Sequence, residues 1–187
     1  MDVVLPKNTP VGLHLLAVSM PESCTREDAR LRIRQALKAK LFYLFGNVGN
    51  EAELCSTPGQ ALRLAAPLAD IGLSISHERG LSVAAINVSG RVGVDVMHWG
   101  EALPDMKALA LNYLGPTTGD TIERSPRVAQ PKIFAGAWTA QEACLKYHGV
   151  PLVEWTATLD KSLSTCTTIV VELAPTWVAT VAFADCC

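Results

Sequence analysis

A long helical stretch followed by short apolar strands occurs twice along this 187-residue chain, and that order restricts the folds open to it. Thr25 with Asp28 three residues on resembles a capping box and opens a helix from Arg26 to Phe45. Leu31, Ala36, Leu37, Leu41 and Leu44 recur at helical spacing, and Gly46 stops the run. The second helix runs from about Pro131 to His148, with Pro131 suited to a first turn and Gly149 to a C-terminal cap. Apolar runs at Ile71–Ile75, Leu81–Val88 and Val92–Met97 read as a β-meander after the first helix. Thr168–Leu173 and Trp177–Ala184 read as a hairpin after the second. The expected fold class is α+β, with two similar halves in a pseudo-dimer, each a long helix packed on a small antiparallel sheet. Ser82-Val-Ala-Ala-Ile86 and Trp177-Val-Ala-Thr-Val181 look alike, although apolar strands of this kind also converge by chance.

The remaining segments carry weaker signals. Val11–Val18 reads as a strand, Asn47–Glu51 as a loop and Ser56-Thr57-Pro58-Gly59 as a turn. Ala102–Leu114 reads as a helix. Gly115–Arg127, with its Pro, Gly and Thr, reads as an exposed loop. Apolar residues make up 49% and charged residues 18%, enough apolar surface for burial to offset chain entropy. A formal net charge of −2 gives no global basic excess, so no nucleic-acid partner is expected. The apolar run near the N-terminus is too short to span a bilayer and lacks a basic flank. No membrane association is expected, and a cytoplasmic location is. Six cysteines at 24, 55, 144, 166, 186 and 187 form no CxxC pair and no Cys/His cluster of zinc-finger spacing, so they read as free thiols.

Three segments carry candidate chemistry: Leu73-Ser-Ile-Ser76-His77, Val92-Gly-Val-Asp95-Val-Met97, and Phe134-Ala-Gly-Ala-Trp138-Thr-Ala-Gln141-Glu142-Ala-Cys-Leu-Lys146. By the two-residue strand period Val92, Val94 and Val96 share one face, and Gly93, Asp95 and Met97 the other. An Asp inside so apolar a strand asks for a partner, because an unpaired buried carboxylate is unfavourable. Trp138, Glu142 and Lys146 step by four and lie along one helix face. With Asp95 from a neighbouring strand, that face can hold a divalent metal and an anionic group. Taken singly, each piece has an ordinary reading: an i,i+4 surface pair, a turn with a satisfied imidazole, a strand-end Asp.

In order and spacing the three segments resemble the phosphopantetheinyl transferase family, which carries a Ser-His after an apolar strand, then a Gly-x-Asp strand, then a helix with Trp-x-x-Lys-Glu-Ala-x-x-Lys. The resemblance runs from about residue 25 to the end. It is closer to the surfactin-synthetase-activating type than to the short trimeric holo-acyl-carrier-protein synthases, whose Asp strand is N-terminal. It implies that residues 1–93 form the N-terminal half of that fold, and that residues 94–187 form the C-terminal half with the metal site. It further implies Mg²⁺-dependent transfer of the 4′-phosphopantetheine arm of coenzyme A to a serine of an apo acyl or peptidyl carrier protein, with 3′,5′-ADP released, by a monomeric enzyme. Asp95 and Glu142 would bind Mg²⁺, and Glu142 and Lys146 would be catalytic. Lys146, Ser76, His77, Arg30, Gly59 and Gln60 would bind coenzyme A, with Ser76 and His77 on its 3′-phosphate and Gly59-Gln60-Ala61 along the adenine.

The chain departs from the family pattern at several positions. Gln141 stands where a lysine precedes the catalytic Glu, so one cation beside the coenzyme A phosphates is missing. Met97 replaces a second acidic residue, and its soft thioether is a poor Mg²⁺ ligand. Glu78 follows His77 where Ser is usual, and must point away from a bound phosphate. These departures leave a second reading, a catalytically weakened homologue that binds coenzyme A or carrier protein without efficient transfer.

Overall fold

The computed structural model describes residues 1–7, 9–57, 61–100 and 103–184. Strand β1 (Asp2–Val3) and strand β2 (Leu13–Ser19) lead into helix α1 (Arg26–Phe45) and the short helix α2 (Asn47–Glu51). Strands β3 (Leu54–Cys55) and β4 (Arg63–Leu64) form a small ribbon. Strands β5 (Gly72–Glu78), β6 (Leu81–Asn87) and β7 (Val92–His98) follow. Helix α3 (Met106–Leu109) continues through a π-helical turn (Ala110–Leu114) to helix α4 (Pro116–Arg124). Helix α5 (Gln130–His148), helix α6 (Ala157–Leu163) and strands β8 (Thr167–Ala174) and β9 (Trp177–Phe183) complete the chain.

Helix α1 begins where the sequence predicts. The Thr25 hydroxyl accepts the Asp28 backbone N–H at 3.1 Å and donates to the Asp28 carboxylate at 2.7 Å, so the cap satisfies an N–H that has no partner within the helix. Its buried face is Ala29, Ile33, Leu37 and Leu41, four positions stepping by four. Leu31, expected on that face, is 57% exposed, because it lies two residues from both Ala29 and Ile33 and so on the opposite side.

The strands form two antiparallel sheets, ordered β1-β2-β6-β5 and β7-β9-β8. The expected meander ends after β6. Both edges of β6 are already taken, by β2 (Leu15↔Ala85) and by β5 (Ile75↔Ala84), so β7 cannot join it and pairs instead with β9 (Asp95↔Thr180). The sheets stack face to face: Leu13, Leu15, Val83 and Ala85 of the first meet Val92, Val94, Val96 and Val181 of the second. Helix α1 covers the outer face of the first sheet through Ile33, Leu37, Leu41 and Ile86. Helix α5 covers the outer face of the second, where Thr139 and Thr180 hydrogen-bond at 2.8 Å in the buried interface. The result is an α+β stack of helix, sheet, sheet and helix. Central strand β6 is buried along its whole length, which explains its largely apolar sequence, with Ser82 and Asn87 the polar exceptions.

The segment between the sheets departs furthest from expectation. Residues Gly115–Arg127, expected as a loop, contain α4: Gly115 (φ 84°) ends the π-helical turn, Pro116 enters the first helical turn, and Ile122 is buried. Asn47–Glu51 is helical rather than a loop, and α6, capped by Thr156, was not foreseen. The helix expected over Ala102–Leu114 shortens to Met106–Leu109 plus the π-helical turn, and Ala102 lies outside the described residues.

Candidate active site

Strand β7 and helix α5 meet at Gly93. A Cβ there would run into the Ala143 carbonyl oxygen, so glycine lets the helix axis come down onto the strand. One residue-pair along the same strand face, Asp95 therefore faces α5. Its Oδ1 accepts from Lys146 Nζ at 2.7 Å and from the Ser76 hydroxyl at 2.6 Å. Lys146 Nζ also donates to the Val94 carbonyl at 3.0 Å, and the Ser74 hydroxyl accepts the Val94 N–H at 3.0 Å. The backbone N–H and carbonyl of Val94 on β7 are thereby satisfied by Ser74 of β5 and Lys146 of α5, and the Asp95 carboxylate by Ser76 and Lys146. The buried Asp that the strand pattern left unexplained has its partners, and two of them come from residues singled out in the sequence.

Glu142 lies one turn before Lys146 on α5. Burial, then repulsion from Asp95, raises its carboxyl pKa, and Lys146 offsets part of this. Glu142 forms no ion pair among the described residues, so its charge is left for something else to neutralise. Two carboxylates in mutual repulsion are what a hard divalent cation relieves. Mg²⁺ is characteristically held by one or two carboxylates, with waters and substrate phosphates completing its shell. Asp95 and Glu142 fit that donor set, although the described residues contain no group of three or more His, Cys, Asp or Glu that would cage a metal alone. Met97 packs instead into an apolar cluster with Phe134 and Trp138, so its side chain serves the core.

Lys146 also lines a cleft of about 990 Å³. One wall is α1, with Glu27, Arg30, Leu31 and Arg34; the floor is β5, with Ser74, Ile75 and His77. The other wall is the turn after α5, Gly149–Pro151. Ser56 and Ala61 border it from the β3–β4 side. His77 Nδ1 lies 2.7 Å from the Ser82 hydroxyl. Burial lowers the imidazole pKa most, and the charges of Arg30, Arg26, Lys146 and Arg34 lower it further, to about 4. His77 is consequently neutral at pH 7 and presents a hydrogen-bonding ring edge rather than a charge.

The structure thus brings Arg30, His77 and Lys146 to one cleft, and Asp95, Glu142, Lys146 and Ser76 to one cluster, with Lys146 common to both. The Ser76 hydroxyl donates to Asp95 Oδ1, and Ser76 is not among the residues that line the cleft. Glu78 is exposed, its carboxylate accepts the Arg79 N–H at 2.9 Å, and it is not among the residues that line the cleft. Gln141 does not line the cleft, and its amide nitrogen is buried without a hydrogen-bond partner among the described residues. Gly59 and Gln60 lie outside the described residues. Sequence reasoning missed Arg34, Arg26 and Ser82. Arg26, Arg30 and Arg34 step by four on α1, a basic stripe visible in the sequence once one member is chosen.

Residues 91–181 match the family described as the 4′-phosphopantetheinyl transferase superfamily. The chain is also similar to the 4′-phosphopantetheinyl transferase HetI of a Nostoc species, 26% identical over 104 residues. That alignment covers 56% of this chain and 43% of the relative, so the chain spans less than half the length of the curated protein it matches.

Proposed function

From the premise that this chain belongs to the 4′-phosphopantetheinyl transferase superfamily, we propose that it transfers the phosphopantetheine arm of coenzyme A to a serine of an apo acyl or peptidyl carrier protein, with Mg²⁺ as cofactor and 3′,5′-ADP as leaving product. The observation that carries this reading is the position of Lys146, which joins a cleft walled by Arg30 and Arg34 to the carboxylate pair Asp95 and Glu142. A polyanionic nucleotide needs the first, and a cation-bridged pyrophosphate needs the second.

In this reading Asp95 and Glu142 would hold the metal, which supplies charge neutralisation at the pyrophosphate. Ser76 keeps one oxygen of Asp95 engaged and so fixes the carboxylate's orientation. Arg30 and Arg34 bind nucleotide phosphate, with neutral His77 adding a hydrogen bond. Lys146 faces the transferring phosphoryl group and offsets charge that develops there. The carrier serine oxygen forms a bond to the phosphorus bearing the pantetheine arm, and the bond from that phosphorus to the 3′,5′-ADP oxygen breaks. The serine proton passes to Glu142 directly or through water. Residues 1–93 and 94–187 act as two related halves of a monomer, the first supplying the basic wall and the second the carboxylates.

Incubation with an apo carrier protein, coenzyme A and Mg²⁺ tests the proposal. A gain of the phosphopantetheine arm in the carrier's intact mass, abolished by chelation, is expected. Unmodified carrier alongside measurable coenzyme A binding would refute transfer.

A further inference from the structure

Helix α5 carries a second feature, on the side away from Glu142 and Lys146. Cys144 lies midway between those two residues in sequence, and so about 200° round the helix from each. It is buried in an apolar cluster with Leu145, Leu163 and Ala182, against which Leu159 and Cys166 pack. Cys166 immediately precedes β8 and is partly exposed. Both are free thiols, and their sulfurs are 3.2 Å apart. The two segments are held in register by neighbouring contacts. The Thr165 hydroxyl is 3.3 Å from His148 Nε2, one turn beyond Cys144, and the Cys166 N–H bonds the Leu163 carbonyl. Closing to a disulfide length of about 2.05 Å asks for roughly 1 Å of movement, within what side-chain rotation supplies.

We propose that Cys144 and Cys166 are a modification site, forming a reversible intramolecular disulfide that ties the rear of α5 to the start of β8. The oxidant is a small-molecule disulfide of the glutathione type. Cys166, the more accessible thiol, loses its proton to solvent. Its thiolate attacks one sulfur of the oxidant, breaking that S–S bond and releasing one thiolate, which takes up a proton. Cys144 then loses its proton, attacks the Cys166 sulfur and releases the second small thiol. Two protein thiols are oxidised to one disulfide, and one oxidant disulfide is reduced to two thiols. The bond closes a 22-residue separation that includes α6 and leaves the front of α5 untouched.

The test uses the full chain with Cys24, Cys55, Cys186 and Cys187 replaced by Ser, treated with oxidised glutathione at neutral pH. The expected result is an intact mass lower by two hydrogens and one cross-linked peptide pair joining Cys144 to Cys166. The melting temperature should rise by about 5–10 °C and return to its starting value under reductant. Cys166→Ser in the same background should show none of these changes. Two thiols that remain alkylatable after prolonged oxidation, or a mixed disulfide that stays on Cys166, would overturn the proposal. In the unsubstituted chain, Cys144 or Cys166 cross-linked preferentially to another cysteine would overturn it equally.

Discussion

Acid should destabilise this protein through His77, and the direction follows from the site. The folded imidazole has its pKa lowered from 6.5 to about 4, by burial first and then by Arg30, Arg26, Lys146 and Arg34. The unfolded chain takes up a proton at this position below about 6.5, while the folded chain resists until about 4. Stability contributed by the neutral ring is thus fully present above 6.5 and is lost as pH falls toward 4. The whole difference would correspond to ~3 kcal/mol at about 1.4 kcal/mol per tenfold change in proton affinity. His77 is only half-buried, so solvent screening of the arginine charges reduces this to about 1–2 kcal/mol. His77→Asn keeps a hydrogen-bonding group beside Ser82 and removes the titrating ring. Urea unfolding of both proteins at pH 7.5 and pH 4.5 should show wild type losing about 1–2 kcal/mol more than the variant. Carboxylates that titrate in both proteins cancel in that comparison. Equal losses, or an imidazole resonance for His77 titrating near 6.5, would refute the electrostatic account of the cleft.

Asp95→Ala and Glu142→Gln should each lower transfer turnover by ~10²-fold or more, as expected when a stabiliser of developing charge is removed; wild-type-like rates in both, in the carrier-modification assay, would sink the proposed metal pair. Arg34→Ala should weaken coenzyme A binding by about tenfold, the usual effect of losing one charge-assisted hydrogen bond, with little change in turnover at saturation. Isothermal titration checks the first part, and an unchanged Kd would place the nucleotide elsewhere.

The features legible in the sequence are those set by neighbours along the chain. The bounds of helix α1 and helix α5 agree with the sequence to within a residue because their signals are local: a capping Thr and a closing Gly for α1, an early Pro and a closing Gly for α5. Pairing partners are not local. The Val92–Met97 run looks the same whether it joins β6 or β9, and only the prior occupation of both edges of β6 decides it. Helix α4 was hidden because Pro and Gly were weighed as loop formers, whereas here they punctuate a helix start. At the site, Asp95, Glu142, Lys146 and His77 carried a motif. Arg34 did not, since an arginine on a helix ordinarily faces solvent, and it gains meaning only when β5 puts His77 across from it.

The division of charge within the site explains why Lys146 sits at its centre. Asp95 is buried and would be costly alone; Lys146 at 2.7 Å and Ser76 at 2.6 Å let the fold carry it before any ligand arrives. Among the described residues Glu142 has no ion pair, and its repulsion with Asp95 is only partly offset by Lys146, so the carboxylate end favours a cation. The wall of α1 is the reverse: the charges of Arg30, Arg26 and Arg34 add to burial in lowering the His77 pKa, so that end favours an anion. A single ion of either sign would satisfy one end and oppose the other. A nucleotide pyrophosphate accompanied by a divalent cation satisfies both. If Asp95 and Glu142 hold Mg²⁺ as proposed, the cation would supply the charge that Lys146 now gives Asp95, and the ammonium would be free to face phosphate. Under the proposed function, metal and nucleotide binding would be coupled through one side chain, which is why that reaction gives the same lysine both a binding and a transfer role.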